Sequence, residues 1–164
     1  MERMFKGKIY RLRDDIDTDI IIPTQHLSYE TMDEMKQYAF EPYRPELPSV
    51  LKEGDILVAG KNFGCGSSRE QAPEVLAALK IRCIIAKSFA RIFYRNAINN
   101  GLLLLESSLF DDCQEGDTVE VVVGKHILYQ GNTYPLNRIP EDLLSIVEDG
   151  GLVKRMQRIN GGDA

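Results

Sequence analysis

Apolar residues recur along this chain at two periods, and the switches between the periods mark out its elements. Residues 5–12 alternate loosely and predict a first strand, closed by the acidic run Asp14-Asp15-Ile16-Asp17-Thr18-Asp19. Ile20-Ile21-Ile22 predicts a short buried strand that stops at Pro23. A short helix is expected over 31–40, capped by Thr31 or Asp33, and the proline-rich stretch 42–48 reads as a connecting loop. Residues 56–59, Ile-Leu-Val-Ala, form the next strand. From Ser67 the period becomes helical, with Ala72, Val75, Leu76 and Leu79 on one apolar face. Ser67 with Glu70, or Ser68 with Gln71, fits a capping box. A β-branched strand over 82–86, a helix over 88–99 closed by Asn100-Gly101, and a strand over 102–105 follow.

This strand-helix-strand-helix-strand order is that of a parallel βαβ core. Beyond it, 118–123 and 127–130 flank Gly124-Lys125-His126 as a hairpin, and 140–148 and 152–159 predict helices separated by Gly150-Gly151. The sum is a mixed α/β fold with added antiparallel strands. At 164 residues one domain, 1–164, is expected.

Composition narrows the class. With 43% hydrophobic and 27% charged residues the chain is neither disordered nor fibrous. No apolar run reaches membrane-spanning length, and Met-Glu-Arg-Met-Phe-Lys-Gly-Lys lacks the apolar stretch of a secretory signal, so a cytoplasmic location is expected. Twenty basic against 25 acidic side chains give a net charge of -5, and the basic residues are dispersed, which argues against nucleic acid as a partner. Cys65, Cys83 and Cys113 are widely spaced without a C-x-x-C pair, and there are two histidines. No metal site or cofactor is expected on this chain, and any metal belongs to a partner.

The densest chemistry lies in Asn62-Phe63-Gly64-Cys65-Gly66-Ser67-Ser68-Arg69-Glu70-Gln71, between the second strand and the helix after it. Two glycines permit a tight turn and close ligand approach, while a helix start beside an arginine favours an anion or an alkoxide. A plain helix cap and a surface arginine explain Ser67, Ser68 and Arg69 about as well. The run lacks the lysine of a phosphate-binding loop and is not G-x-S-x-G, so a serine hydrolase fits poorly. Asp17 and Asp19, as alternate residues entering a strand, would share a face. Arg91 and Arg95, at i and i+4, read as a solvated helix face.

Three runs together carry a resemblance: Asp15-Ile16-Asp17-Thr18-Asp19-Ile20-Ile21-Ile22-Pro23, then Asn62 through Ala72 with Gly64-Cys65-Gly66-Ser67-Ser68-Arg69-Glu70 inside it, then Ala86-Lys87-Ser88-Phe89-Ala90-Arg91-Ile92-Phe93-Tyr94-Arg95-Asn96. Over nearly the whole chain they resemble the swivel domain of the aconitase superfamily, in the free-standing form found as the small subunit of isopropylmalate dehydratases. The resemblance implies a swivelling β/β/α domain, a mixed barrel-like sheet with flanking helices. It also implies a hydro-lyase active only with a large subunit that carries a [4Fe-4S] cluster, acting on a small dicarboxylate hydroxy acid.

By the same resemblance Ser67 is the catalytic base, Arg69 clamps a substrate carboxylate, Ser68 adds a hydrogen bond to the ligand, and Asp19 orients at the rim. Substrate choice is read from the loop containing His26, Leu27, Ser28 and Tyr29. No Arg or Lys occurs over 24–29, where homoaconitase-like members tend to place a cation for a third carboxylate. An unpaired buried carboxylate would be strongly disfavoured, so isomerisation of isopropylmalate in leucine biosynthesis is expected. Homoaconitate, dimethylmalate and citramalate are the alternatives, since a protonated His26 could serve an anion. A non-catalytic module sensing a carboxylate or phosphate is the alternative from another class.

Overall fold

A computed structural model describes residues 3–29 and 31–161. Strand β1 (Met4–Arg11) leads into three short helices, α1 (Thr18–Ile21), α2 (Met32–Met35) and α3 (Leu47–Val50). Then β2 (Ile56–Ala59), α4 (Gln71–Ala78), β3 (Cys83–Ala86), α5 (Arg91–Asn99) and β4 (Leu104–Glu106) alternate. Strands β5 (Thr118–Val122), β6 (His126–Tyr129) and β7 (Asn132–Pro135) precede α6 (Glu141–Glu148) and α7 (Leu152–Ile159).

One sheet of order β4-β3-β2-β1-β5-β6-β7 joins all seven strands and curls into a half-barrel with helices against it. β1 to β4 run parallel, and β5 to β7 are antiparallel to their neighbours. The central parallel strands β2 and β3 are apolar and buried at every position because both faces are covered. Tyr10, Leu57, Ala59, Ile84 and Ala86 pack with α4 and the 12–47 segment, while Ile9, Ile56, Val58, Cys83 and Ile85 pack with β5, β6 and α6. The expected βαβ core, the first hairpin and the paired C-terminal helices are all present. None of the helices among the described residues is long and apolar enough to cross a membrane.

Three expectations are corrected, and one strand is added. The strand expected at Ile20-Ile21-Ile22 is instead a helical turn, Thr18–Ile21, because the Asp17 carboxylate accepts the Ile20 N–H at 2.9 Å and starts a helix. Ile21 and Ile22 are nevertheless fully buried, so the apolar signal was sound and only its geometry differed. The capping box at Ser67 or Ser68 does not form: α4 starts at Gln71, and its cap, Glu70, makes no side-chain bond. The loop over 42–48 ends in α3, with Pro48 in the first turn where a missing N–H costs nothing. Strand β7 was not foreseen, because Asn132-Thr133-Tyr134-Pro135 is polar and largely exposed. It forms because Gln130 (φ 47°) and Gly131 (φ 80°) make a two-residue hairpin turn.

Arg44 fastens the start of the sheet to its far loop. Its Nη1 and Nη2 meet the two oxygens of Glu115 at 2.6 and 3.0 Å, and the Arg11 N–H donates to Glu115 Oε1 at 2.9 Å. The guanidinium holds the Glu115 carboxyl below the usual glutamate range. A carboxyl depressed in the folded state contributes stability above its unfolded value near pH 4.3, and that contribution is lost as pH falls through the folded value. We expect Glu115→Gln to lower the melting temperature at pH 7 by about 2–4 °C, for about 1 kcal/mol. The gap to wild type should narrow as pH falls below about 4.3; a gap independent of pH would contradict this role.

Candidate active site

Past their C-terminal ends, β1, β2 and β3 continue to hydrogen-bond through their loops, and this draws three segments to one place. Gly60 N–H donates to Arg13 O, Asp15 N–H to Lys61 O, Gly64 N–H to Ile16 O (2.7 Å) and Thr18 N–H to Cys65 O (2.9 Å). From the other side Phe63 N–H donates to Ser88 O and Ala90 N–H to Phe63 O. Crevices beyond the carboxyl ends of parallel strands are where α/β folds bind ligands.

Two glycines allow the central loop to pass. Gly64 (φ 84°) lies against the ring of Phe93, and a Cβ there would stand 2.1 Å from Cγ of that ring. Gly66 (φ 94°) is open, with Thr18 Oγ1 3.4 Å from the equivalent point. Phe63, Phe89 and Phe93 meet edge to face beneath the turn and fix its base.

The result is a cavity of about 380 Å³ walled by Gly64, Gly66, Ser67, Ser68 and Arg69 on one side and by the first turn of α5 on the other. Ser67 and Ser68 are exposed, and neither hydroxyl has a hydrogen-bond partner among the described residues. Freed from capping, both are available to a ligand. The Ser67 carbonyl accepts the Thr18 hydroxyl at 3.0 Å and the Arg69 N–H at 2.8 Å, which fixes the peptide that carries the free side chain. The Arg69 side chain is mostly buried and firmly held. Its Nη1 donates to Ile22 O at 2.9 Å and lies 2.7 Å from Asp19 Oδ1, while Nη2 donates to Thr24 Oγ1 at 3.3 Å.

Ser67, Ser68, Arg69 and Asp19 are thus brought together, and the loop expected to select substrate is not part of the cavity wall. His26 is buried: its Nε2 pairs with Glu41 Oε1 at 2.8 Å, its Nδ1 with the Tyr29 hydroxyl at 3.0 Å, and the ring stacks on Tyr38 at 4.0 Å. With both ring nitrogens engaged, His26 offers no donor to a substrate anion, which corrects that part of its expected role. Leu27 and Tyr29 are partly buried against the core and Ser28 is exposed. The Asp17 carboxylate is the α1 cap rather than a partner of Asp19 on a strand face.

Thr18, Arg91, Ile92 and Asn96 also line the cavity. All four lie in runs that carry the resemblance, but the i, i+4 spacing of Arg91 and Arg95 predicts a solvated pair, and the structure separates them. Cys65 stands half-buried in the turn, and burial with the Asp17 and Asp15 carboxylates pushes its thiol up, away from the reactive thiolate. No group of three His, Cys, Asp or Glu side chains among the described residues is disposed to hold a metal ion.

The two glycines give a stability test of this geometry. Gly64→Ala combines left-handed strain with a clash against a buried ring, about 3 kcal/mol or more, so its melting temperature should fall by about 6–12 °C. Gly66→Ala adds only the backbone strain, about 1–2 kcal/mol. Equal losses in thermal denaturation would contradict the packing of the turn on Phe93.

Residues 1–109 match the family model for the aconitase C-terminal domain. The small subunit of 3-isopropylmalate dehydratase from Lachnospira eligens is 58% identical over 164 residues, covering 99% of this chain and all of that protein. Small subunit 1 of the same enzyme from Archaeoglobus fulgidus is 48% identical, over 90% of this chain and 94% of its own. A methanogen homoaconitase small subunit from Methanothermobacter thermautotrophicus is 46% identical, over 93% and 91%. The crystal structure of 3-isopropylmalate dehydratase (leuD) from Methanocaldococcus jannaschii superposes with a TM-score of 0.88 at 38% identity, over 96% of this chain and 95% of that one. The chain therefore belongs to the aconitase C-terminal domain family, among the 3-isopropylmalate dehydratase small subunits.

Proposed function

We propose that this chain is the small subunit of a 3-isopropylmalate dehydratase, which interconverts 2-isopropylmalate and 3-isopropylmalate by dehydration and rehydration. The observation that carries the reading is the pair of unpartnered serine hydroxyls on a rigid turn beside a held arginine, in a chain 58% identical to such a subunit. A large subunit is the partner the relatives' names imply.

The reaction removes a proton from one carbon and a hydroxyl from its neighbour, leaving an enediacid, then restores water with the two groups exchanged. Ser67 Oγ is assigned as the base: as alkoxide it takes the C–H proton and returns one on rehydration. A free serine is too weak a base for this, so the alkoxide needs positive charge and backbone donors close by. The cavity offers both, in the guanidinium of Arg69 and the uncapped first turn of α5. Arg69 holds a substrate carboxylate, for which its planar fork is suited, with Ser68 as an added donor. Asp19 orients Arg69. A Lewis acid for the leaving hydroxyl is assigned to a [4Fe-4S] cluster on the large subunit.

Isopropylmalate is favoured over homoaconitate because 24–29 contains no Arg or Lys and His26 is committed to Glu41 and Tyr29. That loop adjoins the site through the Arg69–Thr24 bond, and a third carboxylate reaching it would find no cation. Mixing the chain with its large subunit and following enediacid absorbance should show turnover of isopropylmalate and little of homocitrate; the reverse preference would contradict the assignment. Ser67→Ala should lower kcat by at least about 10³-fold, the scale of a lost proton-transfer group, with subunit assembly intact. Near-wild-type kcat in that variant would remove Ser67 as base.

A further inference from the structure

We propose that Arg91 is a second substrate-carboxylate residue of this site, an inference that rests on the proposed dicarboxylate reaction. Arg91 opens α5 and lines the same cavity as Ser67, Ser68 and Arg69. It is exposed and forms no ion pair or hydrogen bond among the described residues. Arg69 differs in each respect, since it is mostly buried and Asp19, the Ile22 carbonyl and Thr24 engage part of its guanidinium.

The charges around the cavity show why a second cation matters. A hydroxy diacid brings two negative charges. The Asp19 carboxylate offsets part of the Arg69 charge, and Asp17 is spent on the α1 cap, so Arg91 is the cation in the wall without a counter-charge. Its planar fork can take a carboxylate with two parallel bonds. Its backbone lies in the uncapped first turn of α5, which adds a favourable field for an anion at the same place.

Position also separates Arg91 from its neighbours. It stands on the wall between this cavity and a second one of about 340 Å³ bounded by Phe89, Tyr94, Leu105 and Ile139, where Glu106 and Arg138 face it. Glu106 forms no ion pair with it and Arg138 is of like charge, so the side chain is free to serve the serine-lined cavity. Arg95, one turn further along α5, lines neither cavity. The helix therefore presents one arginine to the ligand and one to solvent.

The test uses the enzyme reconstituted with its large subunit and isopropylmalate as substrate. Arg91→Gln should raise KM by about 10- to 100-fold, the scale of one lost charge-assisted contact, with subunit affinity unchanged by gel filtration. Arg91→Lys, which keeps the charge and loses the fork, should recover part of that loss, and Arg95→Gln should match wild type. An unchanged KM for Arg91→Gln overturns the proposal. So does a loss of subunit affinity with normal KM in the assembled enzyme, which would make Arg91 an interface residue. If the wild-type pair turns over no isopropylmalate at all, the failure lies with the proposed reaction, and the same variants are then compared on the substrate that is turned over.

Discussion

Hydrogen bonding that runs on past the ends of β1, β2 and β3 is the constraint on which the site depends. Ordinarily loops at the carboxyl ends of parallel strands diverge. Here the Thr18 N–H to Cys65 O, Gly64 N–H to Ile16 O and Ala90 N–H to Phe63 O bonds keep three of them in register. Each bond adds little net stability, about 1 kcal/mol, but together they fix the placement of side chains that carry no other restraint. Ser67 is held through its carbonyl by Thr18 and Arg69, so its hydroxyl is free while its backbone is not.

A rigid loop with unpartnered polar side chains is what a preorganised site requires. The aromatic packing of Phe63, Phe89 and Phe93 supports the turn from beneath, and Gly64 is the residue that lets the backbone lie against it. Arg69 is fixed by the same logic from the opposite side, since Ile22 and Thr24 belong to the segment that α1 turns toward it.

Much of this was legible in the sequence, for identifiable reasons. The parallel core announced itself through strands apolar on both faces, and the glycine turn through residue types that only a close approach justifies. What stayed hidden was set by competition between local and tertiary terms. Three consecutive isoleucines carry strand propensity, yet one capping carboxylate at Asp17 turned them into a helix. A capping box was legible at Ser67 and Ser68, but the bonds from Thr18 and Arg69 to the Ser67 carbonyl hold the turn in another path. His26 reads as part of the substrate-selecting loop because nothing in its neighbourhood foretells Glu41, fifteen positions on, as its partner. Arg91 and Arg95 are equivalent by period and differ only through the loops that reach the start of α5.

On the proposed function, the chain carries its part of the site already formed within its own fold. Residue-resolved amide hydrogen exchange on the isolated chain tests that claim most directly. The account predicts that the amides of Thr18, Phe63, Gly64 and Ala90 are protected to the level of β2 and β3, in contrast to open loops. Exchange of these four at unprotected loop rates would contradict it.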